Sequence, residues 1–184
     1  APGDVADASH RRRLAAAAQE LGGLDLLVNN ASYLGPSPQP LLAHYPLELL
    51  EQVYAINVLA PLGLVQATLP LLAASHGLVV NVSSDAAVGA YPGWGGYGSA
   101  KAALDLLSRT LAAELHDQGI AVVSVDPGDL RTQMHQEAFP GEDISDRPLP
   151  EVTLPFWAWL FGQERAAISG RRFQAQAEVW TTQA

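Results

Sequence analysis

The 184-residue chain contains one lysine, Lys101, and it stands four residues after a tyrosine in Tyr97-Gly98-Ser99-Ala100-Lys101. With five tyrosines in the chain, chance would set the lysine at that offset about 3% of the time. Residues i and i+4 share one face of a helix a turn apart, so an ammonium there can act on a phenol. A nearby positive charge favours the phenolate and would lower the Tyr97 pKa from its usual value of about 10 toward the working pH. Such a pair is a candidate acid/base; the plain alternative is an i,i+4 pair on a solvated helix face. Ser84, in Asn81-Val82-Ser83-Ser84, adds a hydroxyl thirteen residues before Tyr97. A serine finishing a strand or capping a turn is the ordinary reading of such a position.

The elements that must position these groups are legible in the apolar pattern. Residues 8 to 21 carry Leu14, Ala17, Ala18 and Leu21 at helical spacing and stop at Gly22-Gly23. Three near-continuous apolar runs, 24–29, 78–83 and 120–125, read as strands covered on both faces. Long helical stretches at about 46–74 and 97–116 separate them, and a last strand is expected near 171–175. Strands alternating with helices predict an α/β fold with a doubly wound parallel sheet in one domain. In open sheets of this kind ligands bind at the strands' C-terminal ends, where Ser84 meets the helix face of Tyr97 and Lys101. The polar, proline-rich stretch from Asp129, continuing to about residue 155, reads as an irregular lid or substrate loop.

Composition narrows the function classes. A formal net charge of -9 and no basic cluster beyond Arg11-Arg12-Arg13 argue against a nucleic-acid surface, and the triplet reads as a solvated helix face. The absence of cysteine excludes disulfides and thiolate chemistry. No secretory signal or spanning segment stands out, so the cytoplasm is the expected location and no membrane partner is expected. The apolar run Leu154–Phe161 is too short to cross a bilayer of about 30 Å and reads as core, pocket wall or subunit interface. No Gly-x-Ser-x-Gly elbow or metal-ligand cluster supports a serine hydrolase or a metal site.

Taken in order, Asn29-Asn30-Ala31, Asn57, Ser84, the Tyr97/Lys101 pair and Pro127-Gly128 with Thr132 resemble the short-chain dehydrogenase/reductase family over essentially the whole chain. The resemblance implies a Rossmann-like fold and an NAD(P)(H)-dependent oxidoreductase acting on a small-molecule carbonyl or alcohol, with NAD or NADP as cofactor. It makes Tyr97 the general acid/base, Ser84 the hydroxyl orienting the substrate carbonyl, and Lys101 the group that depresses the tyrosine pKa and contacts the nicotinamide ribose. Asn57 would complete the catalytic set. Pro61 independently supports attention to that residue, because a proline cannot donate to the carbonyl four residues earlier, and a continuous helix should kink there. The resemblance also implies cofactor contacts by Asp4, Val5, Asn29, Ala31, Pro127, Gly128 and Thr132, with Ser32 standing where the family usually has glycine. Association as a homodimer or homotetramer through the two long helices is implied too. Tyr91, Trp94, Phe139, Trp157 and Trp159 could wall an apolar pocket or be plain core.

The family's phosphate-cradling glycine turn does not occur in these residues, since Gly93-Trp94-Gly95-Gly96 lies directly before Tyr97 rather than after a first strand. The sole methionine is Met134, so the chain is expected to be processed or a fragment that lacks the first strand, first helix and second strand. The strand ending at Asn29 should then present an apolar edge. Two functions stand at this point: the oxidoreductase, and a non-catalytic association module unable to bind dinucleotide.

Overall fold

A computed structural model describes residues 2–182. Four parallel strands, β1 (Leu26–Asn29), β2 (Leu78–Val82), β3 (Ala121–Asp126) and β4 (Arg172–Gln174), form one sheet in the order β1-β2-β3-β4. The expected strands are present, each trimmed or moved by a residue or two. β1 lies at an edge, where Val28 is 43% exposed, as the apolar-edge expectation requires.

Alternate residues of the strands serve opposite faces, because side chains along a strand point up and down in turn. Leu78, Val80, Val123, Val125 and Phe173 pack on one face with Phe156 and Leu160 of α6 (Leu154–Phe161) and Ile168 of α7 (Arg165–Ile168). Val79 and Val122 pack on the other with Val65, Leu72, Ala112 and Leu115. Continuous apolar strands follow from this double cover.

α1 (Ala8–Glu20) begins at Asp7, whose carboxylate accepts from the Ser9 N–H at 2.8 Å. It ends at Gly22 and Gly23, with φ of 101° and 148° that favour glycine. Within the arginine triplet Arg12 and Arg13 are exposed, but Arg11 donates to the Val5 and Ala6 carbonyls, so it is not simply solvated.

The long helix from Leu47 to Ser75 runs as α2 (Leu47–Tyr54), a π-helical turn (Ala55–Leu59) and α3 (Ala60–Ser75). The widened turn accommodates the missing N–H of Pro61 without ending the helix. Its length and mean hydropathy of 1.7 would suffice to cross a bilayer, yet Val65 and Leu72 are core residues against the sheet. α4 (Gly95–Glu114) buries Ala100, Leu104 and Ala112. The stretch after Asp129 departs from the expected irregular loop: α5 (Gln133–Ala138) forms within it, because Thr132 caps the helix by accepting from the His135 N–H at 3.2 Å.

Candidate active site

Tyr97 and Lys101 lie one turn apart on α4 and are both buried, at 7% and 2% exposure. The Lys101 Nζ lies 5.4 Å from the Tyr97 ring centroid and donates to the Val82 carbonyl at 2.8 Å. The helix can approach the end of β2 because its first turn has little bulk. A Cβ added at Gly98 would lie 2.5 Å from the Ala86 carbonyl oxygen, closer than such atoms tolerate. Ser84 is therefore brought to the start of α4 by a backbone contact. Its hydroxyl accepts from the Ala86 N–H at 3.1 Å and donates to the Asp85 carboxylate at 3.0 Å, so it caps a short turn while lining the same cavity as Tyr97. The neighbouring Ser83 also lines the cavity, and its buried hydroxyl has no protein partner.

The electrostatics differ from the expectation that Lys101 depresses the tyrosine. Burial pushes the Tyr97 phenol up to about 12; the Ser32 hydroxyl opposes this as a hydrogen-bond partner, and the Asp126 and Asp85 carboxylates push further upward. Burial also pulls Lys101 down to about 8 against the favourable charge of Asp105. Removal of both groups from water dominates, because desolvation penalises each charged form.

Asn57 occupies the π turn and is 1% exposed. Its Oδ1 accepts from the Tyr33 N–H at 2.8 Å and its Nδ2 donates to the Tyr33 carbonyl at 2.8 Å. Ser32 donates to the same Oδ1 at 3.1 Å. The side chain thus ties the long helix to the segment after β1.

At the end of β3, Pro127, Gly128 and Thr132 line the cavity with Tyr97, Lys101 and Ser84. Gly128 has φ of 74°, and its N–H donates to Asp126 at 2.9 Å. The cavity measures about 460 Å³. Its apolar wall comes from Leu34, Trp94, Leu130, Met134 and Trp157. Of the other aromatics, Phe139 packs against Trp94 from behind the wall, Trp159 packs on the core and Tyr91 is 48% exposed.

Asn29 and Ala31 lie in a separate crevice of about 70 Å³ with Val5. The Asn29 amide donates to Asn81 at 2.7 Å, and Asn81 to Ser108 at 2.8 Å, so Asn29 braces β1, β2 and α4 while its buried Oδ1 keeps no partner. Asp4 is exposed and closes a turn by accepting from the Ala6 N–H at 2.8 Å.

Sequence reading missed Arg172, which donates to Asp105 at 3.0 Å, Asp126 at 3.1 Å and the Ser84 carbonyl at 2.8 Å. One guanidinium thereby fastens α4, β3 and the Ser84 backbone to β4. No motif marks it, since its partners lie 46 to 88 residues away. Among the described residues no cluster of His, Cys, Asp and Glu could hold a metal. The unused donors of Lys101 and the orphan Ser83 hydroxyl instead suit a ligand rich in hydroxyls.

Comparison with known proteins agrees with this geometry. The short chain dehydrogenase family model matches residues 1–143. An uncharacterized oxidoreductase of Escherichia coli, YciK, is 34% identical over 154 residues, covering 83% of this chain and 60% of the relative. The 2-(R)-hydroxypropyl-CoM dehydrogenase of Xanthobacter autotrophicus is 32% identical over 151 residues, 81% of this chain and 60% of that protein. The chain thus spans 60% of the length of these two relatives. A short chain dehydrogenase of Shigella flexneri solved with NADP superposes with a TM-score of 0.84 at 31% identity, covering 93% of this chain and 71% of that one. A Rossmann-like parallel sheet, a cavity at the C-terminal ends of its strands and these likenesses lead to one conclusion: the chain belongs to the short chain dehydrogenase family.

Proposed function

We propose that the whole protein is an NAD(P)(H)-dependent oxidoreductase that interconverts a carbonyl and an alcohol. The observation that carries this reading is the convergence of Ser84, Tyr97 and Lys101 on one cavity at the C-terminal ends of β2 and β3. The NADP carried by the Shigella flexneri relative supports a dinucleotide as cofactor. In this chain Lys101 and Ser83 have the free donors for a nicotinamide ribose, and Pro127, Gly128 and Thr132 border the same space. When bound, the cofactor supplies or accepts the hydride at the substrate carbon.

The chain's own residues handle the oxygen. Tyr97, protonated at neutral pH, donates its phenolic proton to the carbonyl oxygen in reduction and takes it back in oxidation. Ser84 polarises that oxygen once its hydroxyl turns from Asp85 into the cavity. Lys101 offers positive charge next to the phenol as the phenolate forms. Trp94, Leu130, Met134 and Trp157 exclude water from the reacting atoms and favour a substrate with an apolar body.

Replacing Tyr97 with Phe in the whole protein should lower turnover by about 10²–10⁴-fold, the usual worth of a positioned acid/base. Cofactor affinity, read by fluorescence titration, should hardly change. Unchanged turnover would remove Tyr97 from the mechanism. The alternative of a non-catalytic module has no comparable observation in its favour.

A further inference from the structure

The apolar lining of the cavity comes in two walls that belong to different packed groups. Leu34, Trp94, Met134 and Ala138 pack together with Tyr97, and the Trp94 ring meets the Tyr97 ring edge-on at 6.1 Å between centroids. This wall adjoins the phenol that acts on the substrate oxygen. Leu130, Pro150 and Trp157 make the second wall. Its indole packs on the core beneath α6 and stacks on Phe161 at 5.9 Å between centroids. We infer that the substrate is an uncharged ketone with hydrocarbon on both sides of its carbonyl, one side on each wall, and that Trp157 is a specificity-determining residue. The inference rests on the oxidoreductase reading and narrows its substrate class.

The donors of the second wall are already spent. Trp157 Nε1 donates to the Thr153 Oγ1 at 3.0 Å, and that hydroxyl donates to the Pro150 carbonyl at 2.8 Å. The Arg131 N–H donates to the Pro148 carbonyl at 2.8 Å, which holds the Leu130 and Pro150 segments together. A polar substrate group placed there gives up water for neighbours that are paired, whereas a hydrocarbon gains by leaving water. The charges point the same way. Asp85, Asp126 and Asp129 line the cavity, and Lys101 is the only lysine or arginine in the lining among the described residues. In the proposed reaction that lysine serves the cofactor ribose and the phenol. A carboxylate or phosphate on the substrate would therefore meet three carboxylates and no guanidinium. An ammonium fares no better, because Asp126 is paired with Arg172 at 3.1 Å and Asp129 with Arg147 at 3.5 Å. Asp85 takes the Ser84 hydroxyl at 3.0 Å, and His135, the one lining histidine, lies 4.0 Å from Asp129. An aldehyde, with hydrogen in place of one hydrocarbon group, would cover only one wall.

The test is steady-state reduction by the whole protein, with NADH and with NADPH, of benzaldehyde, acetophenone, butyrophenone and the para-carboxylate of acetophenone. Each methylene buried on a wall should lower KM about threefold, so KM should fall from benzaldehyde to acetophenone and again to butyrophenone. The carboxylate should cut kcat/KM about a hundredfold or more relative to acetophenone. Trp157→Ala should raise the butyrophenone KM about tenfold and flatten the trend along the series, with kcat little changed. Trp157→Phe, which keeps a ring, should fall between, and it carries the comparison if Trp157→Ala does not fold. A uniform drop in kcat for every carbonyl with the KM trend intact would mean that Trp157 only supports the fold, and would overturn its role. Equal kcat/KM for acetophenone and its carboxylate, or a flat KM along the series, would overturn the substrate class and leave the oxidoreductase reading standing. Fluorescence titration with the two nucleotides separates the remaining cases. A whole protein that binds one of them but reduces none of the ketones would overturn the substrate class alone, and one that binds neither would overturn the oxidoreductase reading itself.

Discussion

At the scale of single residues, the site is a contest between burial and charge. Lys101 titrates near 8 when folded against 10.5 when exposed. Between those values the unfolded chain binds more protons, so stability rises with pH and is lost as pH falls back toward 8. Tyr97 has the opposite sense: the fold keeps its proton to about 12, against 10 when exposed. Its contribution is complete below 10 and lost as pH rises toward 12. Denaturant unfolding of the ligand-free chain should therefore show stability climbing by about 3 kcal/mol on the lysine arm and then falling in stronger alkali. Lys101→Met should erase the climb and Tyr97→Phe the fall; identical slopes in either variant would contradict the assignment. The Tyr97/Lys101 spacing was legible from sequence, but the direction of the tyrosine shift was not. A +4 spacing says that two groups are near each other, whereas the burial that decides the sign, with the Asp126 and Asp85 carboxylates adding to it, arrives only on folding.

At the scale of elements, two local departures set the site. The π turn at Ala55–Leu59 presents Asn57 to Tyr33 and Ser32, and Pro61 announced that departure because it removes one N–H from the helix ladder. The close approach of α4 to the turn after Ser84 is the other. Gly98 permits it, and backbone cannot yield as a flexible side chain can. Gly98→Ala should push helix and turn apart, cost about 1–3 kcal/mol by overpacking and lower kcat more than it raises KM. Chemical denaturation and steady-state kinetics of the whole protein check both, and a wild-type kcat would show that the approach is not needed. The helix α5 was missed because its region is rich in proline and polar residues; the cap at Thr132 is a signal that could have found it.

At the scale of the molecule, Arg172 links elements that are distant in sequence. Asp105 and Asp126 have side chains 9% and 4% exposed, and both depend on its guanidinium. Arg172→Met would leave buried Asp126 without its ion-pair partner and Asp105 with only the charge of Lys101, an effect of about 3–5 kcal/mol. It should also loosen the Ser84 carbonyl, so equilibrium unfolding and turnover should fall together. A loss below about 1 kcal/mol, typical of exposed pairs, would mean that water replaces the arginine there.

The sequence by itself determined the parallel α/β sheet and the helices that alternate with its strands, because periodicity and apolar runs are local properties of the chain. It also named Ser84, Tyr97 and Lys101, whose order and spacing are specific. Only the tertiary structure decided that Asn29 braces the sheet, that Trp94 and Trp157 face the cavity while Trp159 faces the core, and that Arg172 and Ser32 join the site. Those outcomes depend on which side chains of separate elements meet, and on the water excluded when they do, and neither is encoded in any short stretch of residues.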